Sequence, residues 1–250
     1  PNCSSAASDV YKRQEKCLAS LENLADEILV VDSHSTDGTK LICQRFNVRF
    51  LEQKFLGYRE QKNFALEKAK YDYILSLDGD EALSETLKNS ILEVKKNWIK
   101  DGYYCNRMNN YCGQWIKNSD WYPDRKLRLF KKDSGQWGGL NPHDRFELYD
   151  GKTSGKLKGD LLHWIYNSYK EHNQKIERFS SIAADAYYKA GIKSSIVKIL
   201  WRPSWAFFKA YFLRLGFLDG LNGWVICVQT YNLTFLKYIK LRALWKQNTS

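Results

Sequence analysis

Three carboxylates, Asp78, Asp80 and Glu81, fall within four residues at the end of the strand-like run "YILSLDGDEAL" (residues 73–83). Like charges that close repel and raise one another's pKa unless a cation or fixed dipoles hold them. The pattern points either to a solvated strand-to-loop corner or to a carboxylate pair on a divalent cation. A second acidic strand end lies upstream in "EILVVDSHSTDGT", where Asp32 closes an apolar run and Asp37 precedes Gly38. A carboxylate there can accept hydrogen bonds from a nucleobase or sugar edge, while the following turn supplies backbone N–H groups. The plainer reading is a turn at Asp37 and a helix-approach cap at Asp32. Arg59, Lys62 and Asn63 precede the second cluster, either as binding groups or as an exposed helix face. Neither acidic segment is an EF-hand. With Gly38 sixth, Ser33 and Ser35 would fall at the first and third ligand places, and "DGDEALSETLKN" lacks the required glycine. No P-loop and no GxGxxG is present.

The elements that must position these groups read clearly in the first half. "EILVVD" is a short apolar run suited to a buried strand, and "KLICQRF" a helix; "VRFLEQ" is a strand and "YREQKNFALEKAK" a patterned helix. "YDYILSLDGDE" reads as the next strand. "SETLKNSILEVKKNWIK" is a helix with Ser84 as N-cap and Leu87, Ile91 and Val94 as its apolar stripe. Strands alternating with helices predict an α/β sheet with its chemistry at the strands' carboxyl ends. Beyond Asp101 come aromatic-rich short strands, "GYYCNRMNNYCGQWI" and "KLRLFKK", and a Gly-rich turn, "GQWGGLNPHDRFEL". From about Tyr166 the chain reads as helical, basic and aromatic.

The chain has 250 residues, enough for a full core, with 44% hydrophobic and 27% charged residues. Its net charge of +11 favours an anionic partner. Nine Lys/Arg stand against the single acid Asp219 in residues 193–250, so most of the excess lies there. In that segment Lys198, Arg202, Lys209 and Arg214 alternate with Trp201, Trp205, Phe207, Phe208, Tyr211, Phe212 and Phe217, as in a helix lying in the interface of an anionic bilayer. The uncharged run 220–236 contains Asn222, Gln229, Thr230, Asn232 and Thr234 and is no convincing span. Six cysteines without a CxxC pair predict a reduced, cytoplasmic protein and no zinc site. Residues 1–14 lack apolar periodicity and resemble translated sequencing-adapter read-through. They are expected to be a non-native tail, loosely packed, before a catalytic domain at 15–165 and a helical membrane-associating region at 166–250.

In this order the segments resemble family 2 of the GT-A glycosyltransferases, in the branch of the lipopolysaccharide core enzymes of the WaaE/KdtX type. The matching stretches are "EILVVDSHSTDGT", "GYREQKNFALEKAKYDYILSLDGDE", "KLRLF", "GGLNPHD" and "YFLRLGFLDGLNG". The resemblance implies a Rossmann-like mixed sheet flanked by helices. It also implies metal-dependent, inverting transfer of a hexose from a nucleotide sugar, UDP-linked, to a lipid-linked bacterial saccharide. Asp78 and Asp80 would be the DxD pair holding Mg²⁺ or Mn²⁺ on the donor diphosphate, with Asp78 also near the ribose. Asp32, Asp37, Arg59 and Asn63 would contact the nucleotide. Asp144 would be the base for the acceptor hydroxyl, with His143 as competitor. Trp115, Trp121 and Trp137, with Tyr122, would wall the acceptor or pack the core. His163 reads as a packed core histidine. Family members begin with a strand that this chain is expected to lack, since residues 1–14 stand in its place. The enzyme would sit on the cytoplasmic face of the bacterial inner membrane. The rivals are a polyisoprenyl-phosphate sugar transferase, whose phosphate acceptor needs no strong base, and a non-enzymatic basic membrane or nucleic-acid module. Carboxylates at strand ends oppose nucleic acid.

Overall fold

The structure, a computed structural model, describes the backbone of residues 3–139 and 144–247 and the side chains of residues 11–139 and 144–247. The chain divides into two compact units, residues 1–107 with 125–163, and residues 108–124 with 164–250.

The first unit opens with α1 (Cys3–Ser20), where a loose tail was expected. Tyr11 packs against the Leu18–Ile42–Cys43 cluster and Gln14 Nε2 donates to Thr39 Oγ1 at 2.8 Å, so residues 11–14 are not loosely packed. Next come β1 (Ile28–Asp32), α2 (Thr39–Arg45) and β2 (Val48–Glu52). β1 and β2 pair in parallel from Ile28 opposite Val48 to Asp32 opposite Glu52, with α2 as the crossover. Val30, Val48 and Phe50 face Ile42 and Cys43 of that helix, as the short apolar runs require. Among the described residues β1 and β2 form a sheet of their own.

α3 (Tyr58–Lys68) leads to the run that the sequence predicts as one strand. It is two: β3 (Tyr73–Leu75) and β4 (Glu81–Leu83). The Glu81 N–H donates to the Asp78 carbonyl at 2.9 Å, and the Asp78 N–H donates to Glu81 Oε2 at 3.0 Å. That reciprocal pair closes a turn in which the acidic residues sit. β3 and β4 then occupy opposite ends of one strand order, β3-β7-β5-β10-β4, completed by β5 (Gly102–Tyr111), β7 (Asp124–Lys131) and β10 (Ser154–Tyr166). The two-residue β6 (Gln114–Trp115) pairs with the end of β5. β3 and β4 pair antiparallel with β7 and β10, so the sheet is mixed rather than parallel throughout. Ser84 caps α4 (Glu85–Lys96) as expected, accepting from the Leu87 N–H at 3.2 Å. Leu87 and Ile91 of that helix pack with Leu83, Cys105, Leu129 and Leu161 into the main core. A hairpin of β8 (Gly135–Gly138) and β9 (Arg145–Leu148) stacks Phe146 on Phe130, with ring centroids 3.5 Å apart.

The second unit is helical, as expected: α5 (Tyr169–Lys189), α6 (Ile196–Phe208) and α7 (Gly220–Gln247) pack around Ala184, Ile199, Tyr238 and Leu241. α6 passes through a π turn (Lys209–Leu213) and a 3-10 turn (Gly216–Asp219) before α7. A side chain at Gly223 would place its Cβ 2.0 Å from the Gly216 carbonyl oxygen, so glycine lets α7 close on the 3-10 turn. The buried Asp219 carboxylate accepts from the Lys117 and Asn118 N–H groups at 3.1 and 2.9 Å and from Asn118 Nδ2 at 3.2 Å. Asp219→Ala leaves those donors without their acceptor and is expected to cost roughly 3 kcal/mol. Chemical denaturation reads this directly, and an unchanged midpoint would show that the loop finds other acceptors. No helix among the described residues is long and apolar enough to cross a membrane.

Candidate functional site

The site is built outward from α3. Asn63 spends its amide on the backbone of β8: Nδ2 donates to the Trp137 carbonyl and Oδ1 accepts from the Trp137 N–H, both at 3.0 Å. A side-chain amide so used mimics one rung of a strand ladder and pins the helix to the hairpin. Its neighbour Lys62 is thereby laid over the Trp137 ring, with Nζ 4.4 Å from the centroid, a cation–π contact. Lys62 Nζ also lies 2.9 Å from Asp78 Oδ1 and 2.8 Å from Asp144 Oδ2. One ammonium therefore joins the carboxylate expected at the donor to the carboxylate expected to be the base. Asp144 is the more buried of the two, with 7% of its side chain exposed against 35% for Asp78.

The second anchor is Arg128 on β7. Its guanidinium is buried and lies 2.8 Å from Asp78 Oδ2 and 2.7 Å from Glu81 Oε1. Glu81 is fully buried and also lies 3.4 Å from Arg107. Asp80 meets His163 of β10, Oδ2 to Nε2 at 3.4 Å. Each of the three clustered carboxylates thus has a cationic or imidazole partner from the protein itself, where the sequence left a metal ion as the reason for the cluster. Burial opposes the charge on Asp78, yet Arg128 and then Lys62 hold its carboxyl well below the usual range. Asp80 is likewise burdened by burial and lowered by His163. Burial also works against the Arg128 cation, which Glu81 and Asp78 more than offset. Behind the turn, Cys17 of α1 is pushed up to about 12 by burial and then by the carboxylates, and is inert as a thiolate.

The other candidates are placed as follows. Asp32 is buried at the end of β1 and accepts from the Ser35 N–H at 2.7 Å; Asp37 accepts from the Thr39 N–H at 3.0 Å and so caps α2. Arg59 pairs with Glu60 on the exposed face of α3, beside an open groove of about 470 Å³ that Gln53, Lys54 and Leu56 also line. Trp137 belongs to the first unit and sits under Lys62. Trp115 and Trp121 belong to the second, Trp115 against Trp164 and Trp121 against Tyr111. His143 lies outside the described residues. Lys62 stood among the candidate binding groups of the sequence, whereas Arg128 was not singled out; the basic residue inside the apolar run "KLRLF" was the available signal for it.

No three His, Cys, Asp or Glu side chains converge to hold a metal among the described residues. Asp78 turns both oxygens toward cations and fits poorly as a metal ligand. Asp80, with 42% of its side chain exposed, fits a divalent ion that takes one protein carboxylate and completes its shell with phosphate and water.

Comparison with known proteins identifies the family of the chain. The model of the family "Glycosyl transferase family 2" matches residues 10–149. An uncharacterized glycosyltransferase of Rickettsia bellii is 30% identical over 93% of this chain and 82% of its own length. The lipopolysaccharide core biosynthesis glycosyltransferase LpsC of Rhizobium meliloti is 29% identical over 82% of this chain and 76% of its own. Among solved structures, residues 1–349 of S. aureus TarS superpose with a TM-score of 0.46 at 14% identity, covering 96% of this chain and 89% of that one.

Proposed function

Because the chain belongs to glycosyl transferase family 2, we propose that it moves a hexose from a UDP-linked nucleotide sugar, with inversion, onto a lipid-linked bacterial saccharide of the lipopolysaccharide-core kind. That it is a glycosyltransferase of the GT-A class follows from the family; donor, acceptor and stereochemistry are our reading. One contact carries it: Lys62 Nζ lies within 2.9 Å of both Asp78 and the buried Asp144. The relative named for lipopolysaccharide core biosynthesis supports the acceptor class.

In this reading residues 15–165 carry the transfer and residues 166–250 face an anionic membrane surface, the cytoplasmic face of the inner membrane. Asp144 takes the proton of the acceptor hydroxyl, whose oxygen attacks the anomeric carbon. The nucleoside diphosphate departs from the opposite face with the bonding electron pair. Lys62 and Arg128 set fixed positive charge beside Asp78, where an anionic leaving group gains from cations that need no reorganisation. Asp32 and Asp37 serve the nucleoside side and Arg59 the donor's charge. Asn63, its amide committed to Trp137, positions Lys62. Asp80 would hold Mg²⁺ or Mn²⁺, which would supply positive charge to offset that of the donor diphosphate.

The test is a transfer assay across nucleotide sugars, with core saccharide, lipid-linked and delipidated, as acceptor. Calorimetry of UDP binding accompanies it. Mn²⁺ should strengthen UDP binding in the parent chain, and Asp80→Ala should remove that gain with the fold unchanged by circular dichroism. Equal UDP affinity with and without Mn²⁺ in the parent would discard the metal, and no transfer from any nucleotide sugar would discard the function.

A further inference from the structure

The second unit leaves a continuous apolar ridge uncovered. α6 turns Ile199 and Pro203 inward, and both are buried. Its outer face carries Val197, Trp201, Trp205 and Phe208 at i+4 or i+3 spacing, continued by Phe212 in the π turn. Val197 is 72% exposed, Trp201 63% and Phe212 50%. The rings touch in sequence: Trp201 to Trp205 at 6.3 Å, Trp205 to Phe208 at 5.8 Å and Phe208 to Phe212 at 5.1 Å between centroids. Leu213, at the end of the π turn, and Leu218 and Leu221 beyond it are 58, 61 and 72% exposed. Single exposed apolar residues need no explanation, but a contiguous aromatic and leucine ridge does.

We infer that this ridge, from α6 through the π and 3-10 turns to the start of α7, docks in the interfacial layer of an anionic lipid bilayer. Charge selects that occupant. Residues 193–224 carry Lys193, Lys198, Arg202, Lys209 and Arg214 against Asp219 alone, and Asp219 is buried. A second copy of this chain would bring the same positive face and repel, whereas anionic headgroups complement it. Tryptophans beside basic residues suit the headgroup boundary, where one end of the side chain is apolar and the other wet. Insertion is shallow, because no helix of the described residues can span. The surface also differs from the single basic amphipathic helix read from sequence. Lys209 and Arg214 turn to Asp120, at 3.1 and 3.6 Å, so the apolar ridge takes the leading part and the charge of residues 193–202 assists. The inference rests on the proposed membrane-bound reading for its setting, and its test reads lipid binding apart from transfer.

The test uses the full chain and vesicles of phosphatidylethanolamine with phosphatidylglycerol. Leu213→Ser, Leu218→Ser and Leu221→Ser are combined in one variant, and Val197→Ser with Trp201→Ser in another; all five side chains are exposed, so the fold survives, which circular dichroism verifies. Partition of the triple variant should fall ~100-fold, from three leucines that no longer enter the bilayer. The double variant should fall by a similar factor, and parent binding should weaken with salt. Transfer to the delipidated core saccharide should be unaffected by either variant. Parent chain that ignores these vesicles, or variants that partition like the parent, would overturn the inference. A parent dimer that the triple variant turns into monomer, without vesicle binding, would give the ridge to a second copy instead. Vesicle binding lost in the variants, with no transfer by the parent on any acceptor, would leave the ridge standing and remove the proposed function.

Discussion

Asp144→Asn is expected to lower kcat by ~10²–10⁴-fold, the usual worth of general-base catalysis. Asparagine keeps the shape of the side chain but cannot take the acceptor proton. Lys62 loses one anionic neighbour in the variant and keeps Asp78 at 2.9 Å, so the cluster stays assembled. The KM for the donor should change little, since the loss falls on the acceptor's proton. His143→Ala is the control: it should cost less. Near-full turnover in Asp144→Asn together with collapse in His143→Ala would transfer the role to the histidine.

Arg128→Met should destabilise the first unit by ~3–5 kcal/mol, the cost of stranding buried charge by removing its partner. Arg128 lies within 2.8 Å of both Asp78 and the fully buried Glu81, and methionine fills much of the volume without the charge. The loss has a pH signature. Asp78 is held below its ordinary range by Arg128 and Lys62 against the opposing effect of burial. A carboxyl lowered on folding contributes stability above its unfolded value of ~3.9, and that contribution is lost as pH falls through the folded value. In the variant only Lys62 is left to offset burial, so the folded value moves back up and Asp78 takes its proton at higher pH. The gap between parent and variant should therefore be widest near neutrality and shrink as pH falls toward 4. Urea unfolding at a series of pH values reads it; a gap that stays constant over that range would mean that Arg128 acts by packing and not by charge.

Much of this molecule is legible one residue at a time. The apolar run ending at Asp32, the helix carrying Lys62 and Asn63, and the Ser84 cap appear where local preference puts them. Backbone hydrogen bonding and side-chain periodicity act over a few residues, so a linear pattern contains them. The predicted strand over residues 71–81 is the instructive difference. Its apolar residues read as continuous, but the reciprocal hydrogen bonds between Asp78 and Glu81 break it and send β3 and β4 to opposite ends of the strand order.

The roles within the site are a different matter. Sequence alone determined the family, the acidic turn, the helical basic end and the identity of nearly every carboxylate at issue. It could not say what neutralises those carboxylates. Lys62 reaches Asp144 across 82 positions and Arg128 reaches Asp78 across 50. Nor could it say that the Asn63 amide, which reads as a ligand contact, bonds to the Trp137 backbone. Those pairings depend on how β7, β8 and α3 pack, and charge pairing has no period along a chain that a reader could follow. Likewise the aromatic residues of α6 were visible as a composition, but only the inward burial of Ile199 and Pro203 decides which rings are left to face outward. The sequence determines which groups can carry charge or turn a helix amphipathic; tertiary packing decides which of them meet, because Coulomb attraction and burial act through space over a few ångströms and take no account of distance along the chain.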